Sequence, residues 1–352
     1  MKKIDYIIVG CGLAGISFCE RLQHYQKSYV VVEDNSQQTS TIAGGLYNPV
    51  ILKRFTKAWE AEKQLQLAMP MYKQLEKKLN VKLDYKTSVY RLFSSIEEQN
   101  NWFQASDNPI LSYYLSTTLV KEISPYLKNK FGYGQVMNTG RIDTATLVKN
   151  YKLYLKHHNN LINQSFIYDE LQIVNDKIMY QNFEAKHIVF AEGFGLNQNP
   201  LFNYLPLDGT KGELITIYAP DLKLDIVLKS SVFLIPLGND LYRLGATYNW
   251  NDKTTKITKE GKNELLDKLT QILTCDFEVV DHMAGIRPTV KDRRPLVGEH
   301  PKHKNLYVLN GLGTRGVMIG PYVAHQLFNF IEEGKALDKE VDIKRYQHLC
   351  SV

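Results

Sequence analysis

MKKIDYIIVGCGLAGISFCERLQHYQKSYVVVE, residues 1–33, is the stretch whose reading decides the fold. The apolar run from Ile4 to Val9 has the length and β-branched content of a buried strand, and it ends on Gly10-Cys11-Gly12-Leu13-Ala14-Gly15. Leu13, Ile16, Cys19 and Leu22 then keep helical spacing, and a second short strand over residues 29–32 closes on Glu33. Strand, glycine turn, helix, strand and acid together form the βαβ arrangement that holds a dinucleotide. Gly10 permits the tight turn, Gly12 admits a pyrophosphate close to the backbone, and Gly15 lets helix and strand pack closely; Ala14 belongs to the same cradle. The helix N-terminus presents N–H groups and a partial positive charge to the phosphates. Glu33, about twenty residues beyond the glycines, is placed to accept ribose hydroxyls. The alternative is a glycine turn that binds nothing, and these residues alone do not choose between NAD and FAD.

The chain has 352 residues, which predicts two domains with ample core. Its 44% hydrophobic and 23% charged residues are ordinary for a globular protein. No apolar run approaches the roughly eighteen residues of a membrane span. Met1-Lys2-Lys3 before an apolar run imitates a secretion signal, but Asp5 interrupts it and the apolar segment belongs to the nucleotide fold. The four cysteines, Cys11, Cys19, Cys275 and Cys350, keep no metal-binding spacing, which predicts reduced thiols, no metal and a cytoplasmic location. The net charge of +6 is modest. The lysines of residues 53–82 are interleaved with Glu60, Glu62 and Glu76, as on a solvated helix face rather than a nucleic-acid footprint.

Further along, a polar loop over residues 34–41 runs into Ile42-Ala43-Gly44-Gly45-Leu46, where the two glycines again allow backbone close to a ligand. The pattern predicts a helix over 55–79, kinked or split at Pro70, a strand over 83–94 and a short helix over 97–105. Asp143 is an N-cap candidate for a helix with an apolar face of Leu147, Val148, Tyr151 and Leu155. A small meander is expected at 166–168, 171–174 and 178–180, then a buried strand over 187–191 that runs into Glu192-Gly193. Residues 212–247 are β-rich and predict an antiparallel sheet in a separate domain. A helix over 259–273, a strand over 279–287, and a strand over 306–309 follow; the last meets a glycine loop and a helix over 317–333, a second anion-binding helix N-terminus.

Four pieces now stand in order: VGCGLAG with Glu33, STIAGGL, GIRPTVKDRRPLVG from Gly285, and LNGLGTRGVMIGP from Leu309. Together they resemble the D-amino-acid oxidase superfamily of flavoproteins, most of all the glycine and sarcosine oxidases and the FAD domain of the bifunctional tRNA wobble-uridine modification enzyme. The likeness covers both ends of the chain, whereas about residues 80–140 and 210–280 match only in pattern. It implies an α/β FAD-binding Rossmann-type domain from residues 1–80, 140–205 and 284–352, with a mostly antiparallel α+β substrate domain from 81–139 and 206–283, both discontinuous in sequence. It also implies that Gly10, Gly12 and Gly15 hold the pyrophosphate, Glu33 the adenosine ribose, and Thr41, Ala43, Gly44, Gly45 and Leu46 the flavin. Leu171 falls where relatives contact adenine through the backbone, and Gly193 beside the cofactor. Gly313, Thr314, Arg315, Gly316 and Val317 would face the flavin edge that gains negative charge on reduction.

Arg287 stands where relatives that oxidise amino acids grip the substrate carboxylate, a task suited to a guanidinium fork; the bland alternative is a salt bridge with Asp292. Arg243 occupies the place of a lysine that promotes reaction with oxygen in sarcosine oxidases, or else points to solvent. Ile42 replaces the histidine that carries flavin in some relatives, and no cysteine is placed to do so, so FAD is expected to be non-covalent. Tyr47, Phe233 and Tyr248 are candidates for the substrate wall or for core. The resemblance implies hydride transfer from an α C–H to flavin N5 and hydrolysis of the imine, with oxygen or another electron acceptor. The favoured reading is oxidation of a small-molecule amine or amino acid, including an N-substituted glycine. Two others are a tRNA carboxymethylaminomethyl oxidoreductase, which the mild basicity favours and the lack of a fused methyltransferase disfavours, and a non-catalytic flavin-binding subunit or sensor.

Overall fold

The computed structural model describes residues 1–350. The apolar run at the start of the chain forms the strand Lys2–Val9, which pairs in parallel with Tyr29–Val32 on one side and Phe183–Phe190 on the other. Leu161–Ile162 extends the sheet beyond Tyr29–Val32, and Leu306–Asn310 pairs in parallel beside the C-terminal half of Phe183–Phe190. These strands are covered on both faces, which is why they read as continuous apolar runs. On one face lie the helices Leu13–His24, Thr144–His157 and Gly316–Glu333, whose Leu22, Leu155 and Leu327 are fully buried with Tyr6 and Ile8 of the central strand. On the other face Leu196, Phe202 and Leu207 pack against Ile7 and Phe190. Because the strands are parallel, their C-terminal ends share one edge, and the loops after Val9, Val32, Phe190 and Asn310 collect there.

A second eight-stranded sheet has the order Glu278–Arg287, Thr210–Tyr218, Leu241–Gly245, Phe233–Gly238, Val227–Lys229, Val89–Leu92, Tyr133–Val136, Leu115–Val120. It is antiparallel except where Val227–Lys229 meets Val89–Leu92. The helix Lys259–Thr270 covers one face through Leu265 and Leu269, which pack with Ile215, Leu234 and Leu244. The other face, carrying Leu214, Phe233 and Ile235, looks toward the loop edge of the first sheet. The chain is thus an α/β fold of one largely parallel and one largely antiparallel sheet, each gathered from separated segments.

Several elements differ from expectation. The long helix begins at Ala61, not 55, because Phe55 and Glu60 adopt left-handed φ values of 47° and 46° that a helix cannot run through. Pro70 sits inside the unbroken helix Ala61–Leu79, which is held against the C-terminal helix by the Tyr72 hydroxyl donating to the Val317 carbonyl at 2.9 Å. The strand expected over 83–94 divides between sheets: Asp84–Lys86 joins a small sheet with Gly140–Ile142 and Leu46–Tyr47, and Val89–Leu92 joins the large one. A meander forms, but from other segments: Gln172–Val174, Lys177–Tyr180 and the start of Phe183–Phe190 pair antiparallel in turn, and Phe166 stacks on Tyr180 instead of forming a strand. Asp143 caps its helix as expected, its carboxylate accepting from the Thr146 N–H.

Candidate active site

At the end of the first strand Gly10 has φ of 101°, and a Cβ there would lie 2.5 Å from the Ala191 carbonyl oxygen. A Cβ on Gly15 would lie 2.1 Å from the Gly10 carbonyl oxygen, so these two glycines seat helix, turn and neighbouring strand against one another. The helix then begins at Gly12 with no side-chain cap from that residue and no acid in its first turn, leaving its electropositive end turned to the loop edge. Ser40 supports it by accepting the Leu13 N–H at 3.1 Å. Glu33 is fixed at the end of the second strand: its carboxylate accepts the N–H of Cys11 at 2.6 Å and of Asn35 at 2.8 Å, and pairs with Lys152 Nζ at 2.9 Å.

These groups border a cavity of about 770 Å³ that runs between the two sheets. The carboxylates lining it are Glu33, Asp34 and Glu192, all beside the nucleotide turn. Glu192 is held by the Tyr168 hydroxyl and by Asn199 Nδ2 at 2.8 Å, and burial pushes its pKa from 4.5 up to about 7. At the large sheet the lining turns apolar and cationic, with Leu214, Phe233 and Ile235 beside Arg287, Arg315 and Lys229.

Arg287 ends the strand Glu278–Arg287, and its guanidinium folds back over Gly212: a Cβ on that glycine would come within 2.0 Å of Nη2. The guanidinium carbon lies 4.5 Å from the centre of the Tyr248 ring, and the Thr247 carbonyl is a long 3.4 Å from Nη1 and Nη2. Among the described residues no carboxylate pairs with Arg287. Asp292, the alternative partner, is instead taken by Arg345 at 3.0 Å and the Tyr346 hydroxyl at 2.7 Å. Burial holds the Arg287 and Arg315 pKa values below the usual arginine range, the expected sign for cations moved out of water without a counter-charge.

Of the residues singled out in the sequence, Gly10, Gly12, Ala14, Glu33, Ala43, Gly44, Gly45, Leu46 and Gly193 line this one cavity, as do Gly313, Thr314, Arg315, Gly316, Val317, Arg287, Phe233 and Tyr248. Five stand outside it. Gly15 lies beneath the turn, where it serves packing. The Thr41 hydroxyl turns back to donate to the Gln38 carbonyl at 2.7 Å. Leu171 packs with the core below the first sheet, its N–H donating to the Tyr168 carbonyl at 3.0 Å. Tyr47 is core rather than wall, 3% exposed, with its hydroxyl donating to Asp84 at 2.8 Å. Arg243 pairs across strands with Thr216 and Ile235 but lies beyond the cavity, toward Asp281, Arg141 and Asp143. Sequence reasoning missed Ser40, Lys152, Glu192 and Lys229; of these Glu192 carried a signal, a charged residue just past the end of a buried apolar strand.

The donor set fits FAD. Space is held open where a Cβ would otherwise fill the turn, Gly193 and Gly313 have open space on their Cβ side, and a carboxylate fixed by backbone N–H groups stands at the ribose position of the βαβ unit. A family model described as "FAD dependent oxidoreductase" matches residues 5–329. Over 97% of this chain and 98% of its own length, "Uncharacterized oxidoreductase YurR" of Bacillus subtilis (strain 168) is 22% identical. The "tRNA 5-methylaminomethyl-2-thiouridine biosynthesis bifunctional protein MnmC" of Shewanella halifaxensis is 30% identical over 40% of this chain, a match that spans 28% of that protein. Glycine oxidase from Geobacillus kaustophilus superimposes over 100% of both chains with a TM-score of 0.82 at 17% identity. The glycine cradle, the fixed acid and the match along most of the chain converge: this protein belongs to the D-amino-acid-oxidase-type family of FAD dependent oxidoreductases.

Proposed function

We propose that this enzyme oxidises an amine bearing a nearby carboxylate, an amino acid or an N-substituted glycine. The observation that carries the reading is Arg287: a half-buried guanidinium without a carboxylate partner among the described residues, set in the same cavity as the nucleotide cradle. A guanidinium so placed binds a carboxylate through two charge-assisted hydrogen bonds and fixes its orientation as well as its position. Tyr248 supports the guanidinium plane, while Leu214, Phe233 and Ile235 wall the reacting end with apolar surface that strengthens the ion pair. FAD, when bound, accepts the hydride from the carbon between the amine and the carboxylate. Among the described residues no histidine lines the cavity, and its carboxylates stand at the nucleotide end. The amine is therefore bound neutral, its proton left to solvent, and water hydrolyses the imine without a protein base.

Anaerobic mixing of the holoenzyme with glycine, sarcosine, D-alanine and D-proline, followed by flavin absorbance, tests this. Bleaching by at least one supports the reading, and bleaching by none, with tRNA also inert, leaves a flavoprotein without turnover of its own. The 30% match to the bifunctional tRNA enzyme favours a second substrate with the same reacting unit, a carboxymethylaminomethyl group on tRNA. Bleaching by modified tRNA alone would select it. Admitting oxygen afterwards separates an oxidase, whose flavin recolours at once, from a dehydrogenase.

A further inference from the structure

Lys229 is a half-buried cation on the cavity wall that the proposed chemistry leaves unused, whereas Lys53 and Arg293, which also line the cavity, are exposed. It ends the strand Val227–Lys229 and pairs with Phe233; Phe233 pairs with Gly245, and Gly245 with Leu214. Directly paired residues in antiparallel strands put their side chains on the same face, so Lys229 shares the face of Phe233 and Leu214, and all three line the cavity. Its ammonium lies 4.5 Å from the centre of the Phe233 ring. Among the described residues it has no carboxylate partner. The charges that act on it are the cations Arg91 and Lys268, and Arg91 is itself satisfied by Glu98 at 2.6 Å and by the Ser230 carbonyl at 2.7 Å. Burial and these neighbours push the Lys229 pKa down to about 8, which still leaves most of it protonated at neutral pH. A stacked ring contributes about 1 kcal/mol to such a cation, less than the several kcal/mol that withdrawing it from water costs. A counter-charge is missing.

We propose that the substrate end of the cavity is a two-anion site, in which Arg287 takes the carboxylate of the glycine unit and Lys229 takes a second anionic group on the N-substituent. This rests on the reading of the site given above. The spacing follows from the sheet. The Arg287 guanidinium stands over Gly212 and the Lys229 ammonium over Phe233. Gly212 and Phe233 are two strands and two residues apart, about 12 Å at a strand separation of about 4.8 Å and a rise of about 3.3 Å. Two carboxyl carbons joined through C–N–C lie about 5 Å apart by ordinary bond lengths. An ion pair of about 3–4 Å at each end completes the span. An amine with a single carboxylate reaches one cation only. The second anion is a carboxylate or a phosphonate-type group, since an ammonium serves either as a point charge.

The test titrates the flavin absorbance of the holoenzyme with thiodiacetate, which has two carboxylates and no amine to oxidise, and with methylthioacetate, which has one. Thiodiacetate should bind at least about tenfold tighter, as one charge-assisted bond predicts. Lys229→Met should abolish the preference and Lys229→Arg retain it, at wild-type flavin content and Tm. The analogue with one carboxylate replaced by phosphonate identifies the preferred anion by its relative affinity. No preference in the wild type, or a preference that survives Lys229→Met, overturns the proposal. Iminodiacetate and sarcosine, mixed anaerobically with the same enzyme, separate the two layers. If thiodiacetate binding depends on Lys229 while neither amine bleaches the flavin, the anion site stands and amine oxidation falls. If sarcosine bleaches the flavin and thiodiacetate shows no dependence on Lys229, amine oxidation stands and the anion site falls.

Discussion

The position of the Arg287 guanidinium can be tested without touching Arg287. The three atoms nearest to a Cβ built on Gly212 all belong to that guanidinium, at 2.0 Å for Nη2, 2.3 Å for Cζ and 2.4 Å for Nη1. Ordinary contact between such atoms is about 3.5 Å, so Gly212→Ala must drive the group back by about 1.5 Å. The backbone bears no penalty: Gly212 lies within the strand Thr210–Tyr218, paired with Gly285, and its φ is not among the positive values. The obstacle is the far end of a flexible side chain, so the fold should survive with wild-type flavin content and a nearly unchanged Tm. A misplacement of this size at a positioning group costs about 10²-fold, or about 2.7 kcal/mol of transition-state stabilisation. Stopped-flow flavin reduction under anaerobic conditions, with whichever amine proves active, reads it directly as the reduction rate over half-saturation. Arg287→Met should lose at least as much, and adding Gly212→Ala to it should cost nothing further, because the two act through one group. Wild-type reduction by Gly212→Ala at full flavin content would refute the carboxylate-clamp assignment.

Glu192 gives the pH dependence. Its pKa is raised by burial from 4.5 to about 7, so the folded chain holds a proton that the unfolded chain releases. Its contribution is fully present below about pH 4.5 and is lost as pH rises through 7, a change of about 3 kcal/mol. Glu192→Gln, neutral at every pH, should flatten that fall in a Tm series from pH 5 to 8; parallel curves would mean that Glu192 is ionised throughout. Glu33→Gln strands Lys152 and weakens the acid at the ribose position, and should raise the FAD dissociation constant about tenfold, read by flavin fluorescence on release. An unchanged constant would remove Glu33 from cofactor binding. Ile42 lines the cavity where a covalent attachment residue would have to stand, so acid precipitation should leave a colourless pellet and a yellow supernatant; a yellow pellet contradicts this.

What the sequence disclosed, it disclosed where function is local. The turn from Gly10 to Gly15 and the acid at Glu33 lie within one βαβ unit, and the spacing of glycines states what the backbone must do there. Arg287 was legible through the motif around it. Two of the open alternatives were decided by a common cause. Which face a strand residue presents is decided by pairing with segments far away in the chain, so Tyr47 turned to the core with Asp84, and Arg243 fell beyond the cavity although its cross-strand neighbour Ile235 lines it. Lys229 shows the same limit from the other side. In the run LKSSVFLIPLG it is one lysine at the end of a short strand, and only the register from Lys229 through Phe233 and Gly245 to Leu214 puts it on the wall that Arg287 overhangs.

That register also explains the polarity of the cavity. Its carboxylates come from the ends of the parallel strands, where Glu33 and Glu192 follow Val32 and Phe190. Its cations at the far end come from the antiparallel sheet and from the loop before the last helix, at Lys229, Arg287 and Arg315. The carboxylates and the pair Lys229 and Arg287 are built by different sheets, so a substitution in one should leave the charge of the other unaltered, and cofactor affinity should separate from substrate affinity. Lys229 and Arg287 variants should therefore change the half-saturation for anionic ligands while FAD release stays at the wild-type value. A parallel loss of both would mean that the two ends are coupled through the cofactor rather than assembled independently.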